Sequence, residues 1–265
     1  MDWSADLELA HAIADAADRV TTRRFGALDL VVERKPDLTP VSDADRGVER
    51  EVRRIVAAQR PGDAVLGEEY GAEGSGPRRW IVDPVDGTKN FVRGMPVWAT
   101  LLALQVDGEL VVGVASAPAL DRRWWAARGL GAWAGPADPA RRAAGTRRCE
   151  VSKVAELGDA FLAYSDLGEW AEHGTLSRFL DLTGKVWRTR GLGDFWSHML
   201  VAEGAVDCSA EPSLALWDIA ALQVIVEEAG GRFTDLAGHR ACDGSGGLVC
   251  SNGLLHEELL GALTR

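Results

Sequence analysis

Cysteine is scarce: four among 265 residues, Cys149, Cys208, Cys242 and Cys250, with no C-x-x-C spacing. No disulfide framework is indicated, and a reduced, cytoplasmic protein is expected. Long apolar runs are missing as well. The strongest, Val97 to Val106, is interrupted by Thr100 and Gln105 and is too short to span a bilayer. The segment Met1 to Asp18 is acidic and amphipathic, unlike a signal peptide, so no membrane association is expected. Positive charge is in deficit, 29 basic against 40 acidic residues for a net of −11, and no Lys/Arg-rich block interrupts it. That balance excludes sequence-independent nucleic-acid binding. Internal repeats, low-complexity tracts and any Ser/His/Asp constellation are also absent. What is present, 46% hydrophobic and 26% charged residues with 30 Gly and 10 Pro, has globular proportions. A chain of this length folds as one large domain or two small ones without covalent staples.

Leu7, Ala10, Ile13, Ala14, Ala17 and Val20 recur at helical spacing, which predicts an amphipathic helix over 4–24. A second helix is expected over 43–59, with Val48, Val52, Ile55 and Val56 on one face. The rhythm then shortens to strand-like runs at 64–67, 80–83, 98–106, 110–117 and 123–127, with Asp107-Gly108 as a hairpin turn. Residues 135–146 read as a surface loop or sub-domain junction. Beyond it the pattern alternates: strands near 160–164, 186–190, 206–210, 232–236 and 247–251, and helices near 174–182, 194–203, 218–229 and from 254. Gly230-Gly231 stops the helix before it. This mixed order predicts layered helices and sheets, not a simple parallel βα repeat.

Three acidic clusters sit at strand ends or helix starts: Gly67-Glu68-Glu69, the run Asp83-Pro84-Val85-Asp86-Gly87-Thr88-Lys89-Asn90-Phe91, and Trp217-Asp218-Ile219-Ala220-Ala221. The strand through Trp80 delivers Asp83 at its carboxyl end, and Pro84 removes a ladder donor just afterwards. Asp86 follows three residues on, so both carboxylates can converge on one hard cation, with the Val85 carbonyl as a further oxygen. All-oxygen ligation of this kind suits Mg²⁺. Gly87 and Thr88 then offer backbone amides to a phosphate. Glu68, Asp83, Asp86 and Asp218 together carry four negative charges, which two divalent cations balance; an acidic protein can hold an acidic substrate in this way. Taken singly, each residue has an ordinary explanation. Asp86-Gly87 is a turn former, Glu68-Glu69 a solvated pair, Asp218 a first-turn helix acid, and Asp45 the partner of Ser42 in a capping box.

Together, Glu68-Glu69 after Gly67, D-P-V-D-G-T-K-N-F at 83–91, W-D-I-A-A at 217–221 and E-E-A-G-G at 227–231 resemble the inositol monophosphatase family, in its order and spacing and over essentially the whole chain. The resemblance implies an α/β fold layered as an αβαβα sandwich, and a Mg²⁺-dependent phosphomonoesterase, usually homodimeric, with two or three Mg²⁺ per active site. It implies one catalytic domain over 1–265, with sub-domains of roughly 1–145 bearing the metal and phosphate motifs and 146–265 reading the substrate. By motif position, Glu68, Asp83, the Val85 carbonyl, Asp86 and Asp218 become metal ligands. Thr88 and Asp45, alongside Glu68, become the catalytic set that orients and deprotonates water, and Gly87 and Thr88 bind phosphate. No nucleophilic side chain is required, because metal-activated water attacks in line.

The second half bears on which phosphate ester is cleaved. Where inositol phosphatases typically carry a small triplet, Trp187 to Glu203 has Gly193-Asp194, following Arg188 and Arg190 on one strand face. A carboxylate where a neutral hydroxyl would be read predicts a cationic group on the substrate, and Glu211, seven residues before Asp218, offers another. Gly193-Asp194, with K-P-D-L-T-P-V-S-D-A-D at 35–45, resembles the histidinol-phosphate phosphatase branch of actinobacterial type. The expected reaction is hydrolysis of L-histidinol phosphate to L-histidinol and phosphate. The alternative is an inositol-1-phosphate or broad sugar-phosphate phosphatase. Asp194, Glu211 and Asp218 are expected to contact substrate, and Arg190 to close the site near the phosphate or a partner subunit; Asp194 also has the position of a helix N-cap. The ten tryptophans are expected mainly in core or interface, and His198 and His256 in structural roles.

Overall fold

The computed structural model describes residues 1–36, 38–240 and 246–264; Asp37 and Cys242 lie outside the described residues. Among these, the helices are α1 (Ser4–Arg24), α2 (Asp43–Gln59), α3 (Thr88–Val92), α4 (Pro139–Gly145), α5 (Leu167–Glu172), α6 (Leu176–Thr183), α7 (Asp194–Ala202), α8 (Leu216–Glu228) and α9 (His256–Thr264). A hairpin of β1 (Val32–Arg34) and β2 (Pro40–Ser42) precedes an eight-stranded sheet. That sheet contains β3 (Ala64–Gly67), β4 (Gly71–Glu73), β5 (Arg78–Asp86), β6 (Ala99–Val106), β7 (Glu109–Ala117), β8 (Arg122–Ala127), β9 (Ala132–Gly135) and β10 (Arg147–Arg148), in spatial order β10-β9-β8-β7-β6-β5-β3-β4. A five-stranded sheet of β11 (Phe161–Tyr164), β12 (Arg188–Gly191), β13 (Cys208–Glu211), β14 (Arg232–Asp235) and β15 (Leu248–Ser251) has the order β12-β11-β13-β15-β14.

Packing stacks these elements in five layers. Ala10, Ile13, Ala14 and Ala17 are buried at helical spacing, so α1 lays one stripe on β6 and β7, with α2 beside it over β5. The opposite face of the large sheet is covered by α8, which also meets β14, while α7 lies between α8 and strands β11 and β13. A helix held between two sheets must be apolar on nearly every side, and α8 is buried continuously from Ile219 to Val226. The outer face of the small sheet carries α9, packed against α6, with Phe179, Leu182, Leu259 and Leu263 in its core. The αβαβα order expected from the resemblance is the order observed.

Several short elements go beyond the sequence reading, namely β1, β2, β4, β9, β10 and α3, and with them two short helices. The stretch 135–146, expected as a loop, contains α4, capped by the Asp138 carboxylate on the Ala140 amide. The short helix α5, capped by Asp166 through the Gly168 amide, has no counterpart in the expected pattern. Both are too brief to display an amphipathic period, so side-chain caps and packing decide them.

The path of β5 is what builds the site. In a regular strand, residues three apart point to opposite faces. Here Asp83 pairs with Leu101 and Asp86 with Ala99, three residues against two, so one extra residue bulges out at Pro84-Val85. That bulge returns Asp86 to the side of Asp83. Proline is tolerated there because the bulge needs no ladder donor.

Candidate active site

One cleft of about 650 Å³ is lined by residues from both sheets and the helices between them. Glu68, Asp83, Val85, Asp86, Gly87, Thr88, Asp194, Glu211 and Asp218 all line it. At its floor, carboxylate oxygens of Asp83, Asp86 and Asp218 lie within 4.8 Å of one another. Asp218 reaches this point from the first turn of α8, where it also caps the helix by accepting the Ala215 amide at 2.7 Å. The capping role and the convergence therefore coexist.

Such crowding disfavours three negative charges. Burial, then the charges of Glu68, Asp86 and Asp218, drive the Asp83 carboxyl well above its ordinary range. Burial and the neighbouring Asp194 and Asp218 do the same to Asp86, against the pull of the Phe195 amide at 2.8 Å. Burial also pushes Asp218 up to about 7. Charges this close persist only with protons or cations between them. Three carboxylates beside a buried carbonyl form an all-oxygen donor set, which fits a hard divalent cation. Glu68 lines the same cleft but is held by Lys35, whose Nζ lies 2.7 Å from Glu68 and 2.6 Å from Glu69. Desolvation lowers the Lys35 ammonium, but the two carboxylates outweigh it and keep it firmly charged.

Beside the trio, the Thr88 hydroxyl faces both Asp45 Oδ1 at 3.1 Å and the Val85 carbonyl at 2.8 Å. Asp45 also closes the capping box of α2, accepting the Ser42 amide at 2.8 Å and hydroxyl at 2.5 Å. Burial raises its carboxyl above the ordinary range, with Ser42 and Thr88 opposing. Gly87 turns the chain between β5 and α3 at φ +81°, and a Cβ there would lie 2.9 Å from the Val97 carbonyl and 3.0 Å from Asp194 Oδ2. Only glycine satisfies both conditions.

Two further carboxylates, Asp194 and Glu211, line the same cleft. Asp194 is the first residue of α7 and Gly193, not Asp194, is its N-cap. The Asp194 carboxylate instead accepts from Asn90 Nδ2 at 2.8 Å, tying α7 to α3. Ser165 joins the backbone to Glu211: its hydroxyl accepts the Asp194 amide at 2.8 Å and donates to Glu211 Oε1 at 2.7 Å. Glu211 Oε2 is buried without a hydrogen-bond partner. Burial pushes Glu211 up to about 8, and burial together with the Glu169 charge pushes Asp194 up to about 6.

Arg190 stands apart from these residues. It is exposed on the edge strand β12, donates to the Thr189 carbonyl, and does not line the cleft. Arg188 lies over the rings of Phe161 and Trp187. His198 is neutral, its imidazole lowered to about 4 by burial and held on Ser209, and His256 is similarly enclosed by Ser251 and Thr234. Sequence reasoning missed Lys35, Asn90, Ser165 and Glu49. Asn90 stood inside the quoted run; Glu49 was detectable as a carboxylate next to the apolar stripe of Val48 and Val52, one turn beyond Asp45.

The profile of the inositol monophosphatase family matches residues 2–265. The chain belongs to the inositol monophosphatase family. Among similar proteins, one from Streptomyces coelicolor named histidinol-phosphatase is 56% identical, with 100% of this chain and 98% of that protein covered. A Mycobacterium tuberculosis protein of the same name is 58% identical over 96% of each. Among solved structures, the extragenic suppressor protein suhB of Bartonella henselae superposes with a TM-score of 0.87 at 30% identity, covering 98% of this chain and 99% of that one. The family is one of metal-dependent phosphatases acting on small phosphorylated substrates, and the acidic trio provides a place for a metal. No helix among the described residues is long and apolar enough to cross a membrane.

Proposed function

We infer that the protein is a metal-dependent histidinol-phosphatase, hydrolysing L-histidinol phosphate to L-histidinol and phosphate. Relatives of that name at 56% and 58% identity over nearly the whole chain support the substrate. The structural observation that carries it is the further pair of acidic residues, Asp194 and Glu211, in the cleft. Asp194 and the unpartnered, buried Glu211 Oε2 line the same cavity as the carboxylate trio, with Asp194 beside Asp86. A phosphate ester can enter so negative a space only with cations beside it, and two further carboxylates suit a substrate that also carries a cationic group.

In this reading Asp83, Asp86, Asp218, Glu68 and the Val85 carbonyl hold Mg²⁺, two or three ions per site. Bound Mg²⁺ supplies Lewis acidity that makes water reactive near neutral pH and offsets the charge of the phosphate. The chain does the rest. The Thr88 hydroxyl orients the attacking water and relays its proton to Asp45, whose burial favours the protonated form. Gly87 and Thr88 present amides to the phosphoryl oxygens, and Asp194 and Glu211 receive the ammonium-bearing end. Residues of both halves line one cleft, which supports a single catalytic domain with sub-domains meeting there. Three buried free thiols, Cys149, Cys208 and Cys250, suit a reducing, cytoplasmic setting. A homodimer is favoured by the exposed edge of β12 with Trp187 at 65% exposure, and it would give Arg190 a partner-facing role.

The test compares phosphate release from histidinol phosphate, inositol-1-phosphate, fructose-1,6-bisphosphate and a 3′-phosphonucleotide, with and without EDTA. Histidinol phosphate is expected to lead in kcat/KM by at least ~10-fold, as charge-assisted contacts allow, and chelation should abolish turnover. Equal rates on inositol-1-phosphate support the broader sugar-phosphate reading, and activity that survives chelation removes the metal mechanism.

A further inference from the structure

Glu49 is fully buried in α2, yet it belongs to neither the carboxylate trio nor the substrate end. Its partners lie on the turn that carries Glu68. Oε2 accepts the Glu69 amide at 2.7 Å, and Oε1 accepts the Tyr70 amide at 3.2 Å. Arg53, one helical turn on, donates to Oε1 through Nε at 3.0 Å and Nη2 at 2.6 Å. The same Nη2 reaches the Gly71 carbonyl at 2.6 Å, and Nη1 meets Glu73 at 2.9 Å. The hairpin between β3 and β4 is thus clasped at four positions between 69 and 73 by one helix-borne ion pair, Gly71 and Glu73 through Arg53 and Glu69 and Tyr70 through Glu49.

Gly67 explains how Glu49 gets so close. A Cβ at Gly67 would lie 2.1 Å from Glu49 Oε1, so any side chain there would expel the carboxylate. On the other side of the turn the Glu68 amide donates to the Val82 carbonyl at 3.3 Å, tying it to β5 just before Asp83. With the backbone of 67–71 held on both sides, the turn that presents Glu68 to the cleft is fixed, and the Glu68 carboxylate meets Lys35 there.

We propose that Glu49 is a positioning residue for Glu68: by capturing the amides of Glu69 and Tyr70 it aims the Glu68 carboxylate at the trio and sets how tightly the cleft holds Mg²⁺. The proposal rests on Glu68 being a metal ligand. A buried ion pair is by itself weak support for stability, because desolvation offsets its attraction. What distinguishes this one is its aim, since outer partners that hold a ligand in place typically change metal affinity by 10- to 100-fold when removed.

Glu49→Gln keeps the shape but can no longer accept both amides and the guanidinium, while Gly67→Ala leaves Glu49 chemically intact and pushes it away. Each is compared with wild type and with Glu68→Gln, after circular dichroism and thermal melting confirm folding. Mg²⁺ alone is titrated calorimetrically into substrate-free protein, and Mg²⁺ is separately titrated against phosphatase activity. Both variants should bind Mg²⁺ about 10-fold or more weakly while recovering most of the wild-type kcat at saturating Mg²⁺. A purely architectural Glu49 would lower the melting temperature and leave Mg²⁺ affinity within about twofold, which overturns the proposal. If Glu68→Gln also binds Mg²⁺ normally, the ligand reading beneath it falls as well; if Glu68→Gln weakens binding and Glu49→Gln does not, only the positioning role is lost.

Discussion

Asp194 carries the substrate argument, and its backbone is unusual: φ is +47°, a conformation costly for a residue with a Cβ. The surroundings hold it there. Asn90 takes the carboxylate, Ser165 takes the amide, and Gly87 leaves room for Oδ2. Strain kept by three partners fits a residue whose side chain must stand in one place. Asp194→Ala is expected to reduce kcat/KM for histidinol phosphate by at least ~10-fold, because a charge-assisted hydrogen bond contributes roughly 1.5–3 kcal/mol. A phosphoester without a cationic group should suffer less, and equal losses on both substrates, measured side by side, would refute the cation-reading role. Single residues were legible where chemistry restricts the type, as at Asp83 or Asp218. Arg190 was not, because the direction of a long side chain on an exposed strand depends on what lies beside it. Glu49 was hidden for the opposite reason: its partners are backbone amides twenty residues away, which no pattern of side chains announces.

At the scale of elements, β5, its bulge and α3 form one device. The bulge at Pro84-Val85 puts Asp83 and Asp86 on the same side, and the left-handed Gly87 then turns the chain so that Thr88 faces Asp45. Gly87→Ala attacks this device directly. Its φ of +81° costs a Cβ-bearing residue roughly 1–2 kcal/mol, and the added carbon meets the Val97 carbonyl and Asp194. Urea denaturation should show a loss of at least that size, with catalysis falling further than stability because Asp194 is displaced. Unchanged activity in a folded variant would separate Asp194 from the turn. The long helices and core strands were readable from period alone. The bulge was only half readable: Pro84 forecast an interruption of the ladder, but whether one extra residue or a strand end follows depends on how β6 pairs.

For the molecule as a whole, the consequence is a dependence of stability on pH and metal. Asp218 and Glu211 keep their protons up to about 7 and about 8 when folded, whereas the unfolded carboxyls release theirs near 4. The folded state therefore binds more protons than the unfolded one across this range, and stability falls as pH rises. The imidazoles of His11, His198 and His256, lowered by burial, act in the opposite sense below their unfolded value of about 6.5, so the carboxyls dominate only above it. In EDTA the melting temperature should decline between about pH 6.5 and 8.5. Mg²⁺ should restore more at the upper end, where it replaces protons between the carboxylates. A flat profile in EDTA, or no gain from Mg²⁺, would mean that burial does not hold protons on Asp218 and Glu211 in the folded cleft. The sequence by itself determined layered helices and sheets and the identity of the acidic groups, because periodicity, turn chemistry and closely spaced carboxylates are local properties of the chain, while the family and its five-layer order followed from the resemblance that its motifs carry. Only the tertiary structure decided which of those groups meet. Convergence of Asp83 with Asp218, the clasp of Glu49 on the Glu68 turn and the link from Ser165 to Glu211 all span far-separated stretches, and their distances are set by how the layers pack: the two sheets about α7 and α8 for the first and last, and α2 on the large sheet for the clasp.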